Sequence, residues 1–308
     1  MSQKKKLVVV GSVAIDWVIT PVSEREESVG GAATYFAMAA SHHTAVDLVG
    51  VVGKDFPEHA LQDLRTAGVG LEGLEVIEDG LTFRWKGRYH ENMNQRDTLE
   101  THLNCFEQFE PKLPESYREA ELLFLANIQP SLQLQVLEQM KTRPRLVGLD
   151  TMNLWIDVAS DDLRAVVSKV DVLTINEEEA LQLTGATSLL AAAREIRELG
   201  PKILVIKRGE YGALLFGPGS EELFAAPAIP LEKVDDPTGA GDCFAGGFMG
   251  YLSTAETLDG PTLRRAVIWG SVMASFCVQG FSYDRLRDLD RAQIDARYKA
   301  FVDLTSFV

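Results

Sequence analysis

The residues best suited to chemistry are concentrated in Asp236-Pro237-Thr238-Gly239-Ala240-Gly241-Asp242, which runs straight into the small apolar segment Cys243-Phe244-Ala245-Gly246-Gly247-Phe248-Met249. A Gly-Ala-Gly turn at a helix start leaves successive backbone N–H groups unpaired and uncovered. With the positive end of the helix dipole, those donors make an anion site. Asp242 stands at its mouth. A carboxylate repels a phosphate, so it makes sense there if it accepts the proton of a hydroxyl that attacks the phosphate. Helix capping is the simpler reading of a lone Gly-Asp pair. The crowding of Asp236, Thr238 and Asp242 around the glycines favours phosphoryl transfer to an alcohol.

Other segments carry weaker signals. Asp16 follows the apolar run that opens the chain, and ligands of parallel sheets gather beyond the carboxyl ends of strands. There it could accept two hydroxyl hydrogens of a polyol, or simply cap a turn. Gly30-Gly31 opens a helix and would let the backbone approach a sugar closely. Asn176-Glu177-Glu178-Glu179 closes a strand and opens a helix. An amide and a carboxylate acting through water suit Mg²⁺, while an acid-rich first turn is also favoured by the dipole alone. Gly209 and Gly212, in Lys207-Arg208-Gly209-Glu210-Tyr211-Gly212, suit a tight charged turn. Arg84 and Arg88 share one face of a β segment whose other face carries Trp85 and Tyr89. The arginines are candidate substrate contacts, in a pattern that a half-exposed strand also shows. The five histidines have no metal-ligand spacing, and His42-His43 reads as helix-end surface.

These residues need a scaffold, and the rest of the chain describes one. β-branched runs at Leu7 to Val10, Val46 to Val52, Leu122 to Ala126, Leu146 to Asp150, Val172 to Ile175, Ile203 to Ile206 and Ala213 to Phe216 read as strands. Helical patterns cover Ala33 to Ser41, Pro57 to Ala67, Leu132 to Lys141, Glu177 to Leu183, Leu189 to Leu199, Gly241 to Leu252 and Leu263 to Val278. The alternation predicts an α/β fold with a mostly parallel sheet covered on both faces. Two stretches break the rhythm. Trp17 to Val29 is polar without a helical period, and Leu81 to Asn104 carries β-type residues on either side of Glu91-Asn92-Met93-Asn94. They read as a small projecting sheet, either an edge hairpin or a lid.

Bulk properties narrow the function. A chain of 308 residues that is 46% hydrophobic can bury a large core. With 45 acidic and 30 basic residues the net charge is −15, which disfavours nucleic acid and anionic membranes as partners. Cys105, Cys243 and Cys277 are far apart, which argues for a reducing compartment and against structural zinc. Lys4-Lys5-Lys6 followed by Leu7 to Ile15 has the outline of a signal peptide. Asp16 and Trp17 follow without a small-residue cleavage site, so a buried strand in a cytoplasmic protein fits better.

The segment from Asp236 to Asp242 resembles the C-terminal signature of the ribokinase-like, or PfkB, family of carbohydrate and nucleoside kinases. Gly30-Gly31-Ala32-Ala33-Thr34-Tyr35-Phe36-Ala37-Met38-Ala39-Ala40 resembles its N-terminal signature, and the likeness runs the length of the chain. The resemblance implies a single ribokinase-like three-layer α/β/α domain over residues 1–308. Its small β lid would be formed by about residues 17–29 and 81–104. It implies an ATP-dependent kinase for a hydroxyl of a sugar or polyol, with nucleosides or inositol as alternative acceptors. A catalytically idle binding protein is a further alternative. Asp242 would be the base, and the N–H groups of Gly239, Ala240 and Gly241 the anion hole. Asp16, Gly30, Gly31, Tyr35, Arg84 and Asn104 would meet the acceptor. Tyr35 stands where the family usually has Asn, and would stack on a ring, donate its hydroxyl or pack under the lid. Asn176 and Glu179 match an Asn-x-x-Glu motif that organises Mg²⁺ and the phosphates from its outer shell. Lys207, Gly209 and Gly212 match the nucleotide loop, and Asn153 a nucleotide-side Asp-x-Asn with one extra residue. Many relatives hold a monovalent cation such as K⁺ beside the position of Asp236. Lid edges of this fold can pair between subunits, which would give a homodimer.

Overall fold

The computed structural model describes residues 7–219 and 223–306; Lys4-Lys5-Lys6 lie outside the described residues. Thirteen strands run along them: β1 (Leu7–Val10), β2 (Ala14–Ile19), β3 (Glu24–Gly30), β4 (Val46–Gly53), β5 (Val69–Ile77), β6 (Phe83–Tyr89), β7 (Arg96–His102), β8 (Leu122–Leu125), β9 (Leu146–Asp150), β10 (Val172–Asn176), β11 (Ile203–Lys207), β12 (Ala213–Phe216) and β13 (Leu223–Ala226). The helices are α1 (Ala32–Ala40), α2 (Glu58–Thr66), α3 (Pro130–Gln139), α4 (Asn153–Val158), α5 (Ser160–Val167), α6 (Glu177–Thr184), α7 (Leu189–Leu199), α8 (Ala240–Thr254), α9 (Gly260–Cys277), α10 (Asp284–Arg287) and α11 (Arg291–Thr305).

The large sheet has nine strands in the order β13-β12-β11-β10-β9-β8-β1-β4-β5. From β11 to β5 every pairing is parallel; the β11–β12 and β12–β13 pairings are antiparallel, so β12 runs against the rest. Parallel strands need crossovers, and the crossover helices cover both faces. The alternation within β1 shows how. Leu7 and Val9 enter a core closed by α1, α8 and α9, while Val8 and Val10 enter a second core closed by α3, α5, α6 and α7. Stacked rings of Phe36 and Phe124, with centroids 4.3 Å apart, anchor the first core. The small residues of α8 have a packing reason: a side chain on Gly247 would meet the Trp269 backbone of α9 at 2.6 Å.

A second sheet, in the order β3-β2-β6-β7, stands apart from the first. It begins at Ala14, earlier than the break at Trp17 suggests, and so takes Asp16 into its own fabric. Several elements escaped the periodicity reading. β5 is an edge strand interrupted by Gly70 and Gly73, and only Val69 of it is buried. α11 buries only Ile294 and Phe301, too sparse a stripe to stand out. Its start is nevertheless marked by a capping box between Asp290 and Gln293. His42 and His43 are half-buried rather than surface: His42 Nε2 lies 2.9 Å from the Leu286 carbonyl oxygen, and the His43 ring meets Trp269 edge-on at 5.0 Å. Burial pushes the His43 imidazole down to about 4. No helix among the described residues is long and apolar enough to cross a membrane.

Candidate active site

The turn before α8 is built as an anion cradle. Gly239 occupies the left-handed region at φ 76°, a conformation that disfavours a side chain, and the ring of Tyr35 lies directly beneath it. Asp236 Oδ1 accepts the Thr238 N–H at 2.8 Å and shapes the turn. Ala240 N–H donates to the Pro237 carbonyl at 3.2 Å, which leaves the Gly239 and Gly241 N–H groups for the predicted anion hole. Among the described residues, the N–H groups of Gly239 and Gly241 keep no protein acceptor. Lys207, at the end of β11, brings its Nζ to 3.0 Å from where a Gly241 Cβ would stand. A cation and free N–H donors therefore converge on one point at a helix N-terminus.

Four carboxylates surround that point. Asp242 lies in the first turn of α8, half-buried. Loss of water raises its pKa to about 7; Asp150 adds to the rise, while Lys207 and Arg96 oppose it. Asp16 is 4% exposed; its backbone is paired in the small sheet, while its carboxylate accepts no hydrogen bond among the described residues. Burial, then the charges of Asp236 and Asp242, push it well above the carboxylate range. Asp236 is fully buried, and burial raises it to about 6 against the hydrogen bonds of Thr238. Asp150 ends β9 and holds the network together. Its Oδ2 takes a hydrogen bond from Lys207 Nζ at 2.5 Å and one from Thr174 Oγ1 at 3.0 Å. Burial alone would lower the Lys207 ammonium, but Asp150, Glu179 and Asp242 outweigh it and raise its pKa. Lys207 therefore stays charged.

Fit to the expected ions can be judged from the donors. Asn176 and Glu179 cap α6 reciprocally: Asn176 Oδ1 accepts Glu179 N–H at 2.7 Å and Glu179 Oε2 accepts Asn176 N–H at 3.0 Å. One Glu179 oxygen and the Asn176 amide NH₂ remain. No group of three or more His, Cys, Asp or Glu among the described residues could hold a metal directly. That set fits Mg²⁺ held through water and phosphate oxygens rather than in a protein cage. Asp236 Oδ2 is buried without a partner, which fits a cation or a proton beside it.

The remaining predicted contacts divide. Gly30 makes room for Asp16, because a Cβ there would collide with its carboxylate. Gly31, at φ 93°, packs against the Ser12 carbonyl, and Ser12 takes the N–H groups of Ala32 and Ala33 at 3.0 Å each. The Ala32 and Ala33 N–H groups at the start of α1 are thus taken by protein, while Gly31 itself is half-buried. Tyr35 is 1% exposed and pressed on Gly239, so it cannot stack on a ligand ring; its hydroxyl is buried without a partner. Arg84 is tied to Asp55 at 3.0 Å and Glu27 at 3.2 Å. Asn104 gives its amide to the Thr82 carbonyl at 2.8 Å and so ties off the small sheet. Asn153 is exposed on α4. Gly209 and Gly212, at φ 56° and 85°, form the tight turn between β11 and β12. Arg84 and the exposed Arg88 lie on the face of β6 opposite Trp85 and Tyr89. The face of Trp85 and Tyr89 is the one turned inward, and Tyr89 Oη accepts the Thr238 hydroxyl at 3.1 Å. Asp150, Tyr89 and Arg96 were not singled out as site residues. Asp150 had a signal, a charge ending a fully buried strand; Arg96, on an exposed strand, had none.

The nine-stranded sheet, its small companion and the cradle define a ribokinase-like α/β phosphotransferase fold. Residues 4–284 match the pfkB family carbohydrate kinases, and the chain belongs to that family. It is 36% identical to a cytidine kinase of Thermococcus kodakarensis over 255 residues, 82% of this chain and 90% of the relative. It is 25% identical to a nucleoside kinase of Methanothermobacter thermautotrophicus over 293 residues, 91% of each. Among solved structures it is similar to Arabidopsis thaliana ribokinase complexed with ribose and ATP, with TM-score 0.76 and 22% identity, covering 96% of this chain and 99% of that one. The protein is thus a sugar or nucleoside kinase of the PfkB family.

Proposed function

We propose that the protein transfers the γ-phosphoryl group of ATP to a hydroxyl of a sugar, either free or carried by a nucleoside. The observation that carries this reading is the meeting of Asp242, the free N–H groups of Gly239 and Gly241, and the Lys207 cation at one helix N-terminus. Asp242 takes the hydroxyl proton as the oxygen attacks. Gly239, Gly241 and Lys207 stabilise the charge that spreads over the transferring group. Asp16, whose carboxylate has no hydrogen-bond donor among the described residues, accepts neighbouring hydroxyls and orients the acceptor. Glu179 and Asn176 would hold Mg²⁺ through its water shell and the phosphates, and the ion would supply neutralisation of phosphate charge. The small sheet closes over the acceptor and excludes water, which would otherwise compete for the phosphoryl group. Its turn reaches the nucleotide loop, where Asn94 Nδ2 donates to Glu210 Oε1 at 3.5 Å.

The relatives named above favour a nucleoside acceptor about as well as a free sugar. The test is ATP turnover against sugars, polyols and nucleosides, with melting temperature read in parallel. Acceptor-dependent ADP release supports the kinase. Ligands that raise the melting temperature without any turnover would replace it with a binding protein.

A further inference from the structure

Trp85 has no part in the chemistry above, yet it is held in place with unusual care. Its six-membered ring lies flat on Gly87, where any Cβ would collide with three ring carbons. Its Nε1 donates to Thr98 Oγ1 at 3.2 Å. Orientation is therefore fixed before any ligand arrives, and little side-chain freedom is left to lose on binding. Trp85 pairs in register with Asp16 on the adjacent parallel strand, so the two side chains leave the same face of the small sheet. Tyr89 leaves that face too and meets Thr238 of the phosphate turn, so the face looks onto the site. The indole is only half-buried. Arg96 lies opposite Tyr89 in register, with its guanidinium 5.9 Å from the indole centroid and no ion pair among the described residues.

Position decides what the platform is for. Asp16 is on β2, Trp85 on β6, and the indole reaches towards Thr98 on β7. Strands lie about 4.8 Å apart, so the stacking surface is displaced by roughly 5–10 Å from the carboxylate that binds hydroxyls. A free sugar seated between Asp16 and Asp242 stops short of it. A planar ring attached to that sugar reaches it by taking the place of the Arg96 guanidinium, which lies over the indole at 5.9 Å.

We propose that Trp85 is the platform for the heterocyclic base of a nucleoside acceptor, and that it sets the preference for nucleosides over free sugars. This rests on the reading of Asp242 and Asp16 as the hydroxyl-binding end of the site. The test uses cytidine, inosine and D-ribose, with wild type, Trp85→Phe and Trp85→Ala. Nucleoside binding without ATP should quench tryptophan emission in wild type, and the quench should vanish in Trp85→Phe. Trp85→Ala should raise the nucleoside KM about 10- to 100-fold with a smaller change in kcat, the size of one lost base stack, while Trp85→Phe restores most of it. The quench in wild type is informative even if the alanine variant fails to fold. Absence of quenching by both nucleosides, or an unchanged nucleoside KM in folded Trp85→Ala, overturns the platform and leaves the kinase standing. Quenching through Trp85 with no acceptor-dependent turnover upholds the platform and removes the kinase.

Discussion

Replacing Asp242 with Asn should cut turnover sharply and make the protein more stable, and the second effect carries a pH signature. Burial pushes the carboxyl up to about 7 in the fold from an ordinary 3.8. At about 1.4 kcal/mol per unit, holding it ionised costs on the order of 4 kcal/mol; solvent at this half-buried group reduces that to about 2–4. The sign follows from proton binding. Between about pH 4 and 7 the unfolded chain has released this proton and the folded one has kept it, so stability falls as pH rises through that window. Asn has no proton to lose. Its advantage should be near zero at pH 4 and complete by pH 8, where a gain of roughly 3–6 °C in melting temperature is expected for a domain of this size. Thermal melts of both proteins across pH 4–8 measure it, beside turnover, which should drop about 10²–10⁴-fold. A stability difference independent of pH would refute the burial account of the shift. Turnover within tenfold of wild type would refute the base.

Other consequences follow from the same network. In the wild type, kcat/KM should rise with pH along a limb centred near 7 as Asp242 ionises, and a profile flat from pH 5.5 to 8.5 would contradict this. Lys207→Met leaves Asp150 buried without its cation and should cost about 3–5 kcal/mol in urea unfolding. Adding Asp150→Asn should recover a large part, whereas strictly additive losses would show that the pair is not coupled. Gly239→Ala forces a side chain onto Tyr35 at positive φ and should destabilise by about 1–3 kcal/mol. Equal stability to wild type would mean that the turn relaxes freely.

Much of the scaffold was legible because its strands are apolar on both faces and its helices periodic. Leu7–Val10 and Ile203–Lys207 can hardly be anything but interior parallel strands. The site was legible where one short segment carries its own geometry, as Asp236 to Asp242 does. It was illegible where a role depends on which face looks inward. Arg84 and Trp85 are neighbours in sequence, yet the first binds Asp55 and Glu27 while the second lies beside Asp16 over the cleft. Tyr35 looked like a ligand contact because of the motif around it, but the closeness of α1 to the turn before α8 seals it under Gly239.

The order of residues by itself determined that a glycine turn precedes a helix with a carboxylate in its first coil, because those preferences act within a few residues. Only the tertiary structure decided which charges that carboxylate feels. Asp150 and Lys207 end the parallel strands β9 and β11, and Asp16 meets them from within β2 of the small sheet. Electrostatics in a water-poor cleft depends on such distances through space, and separation along the chain does not encode them.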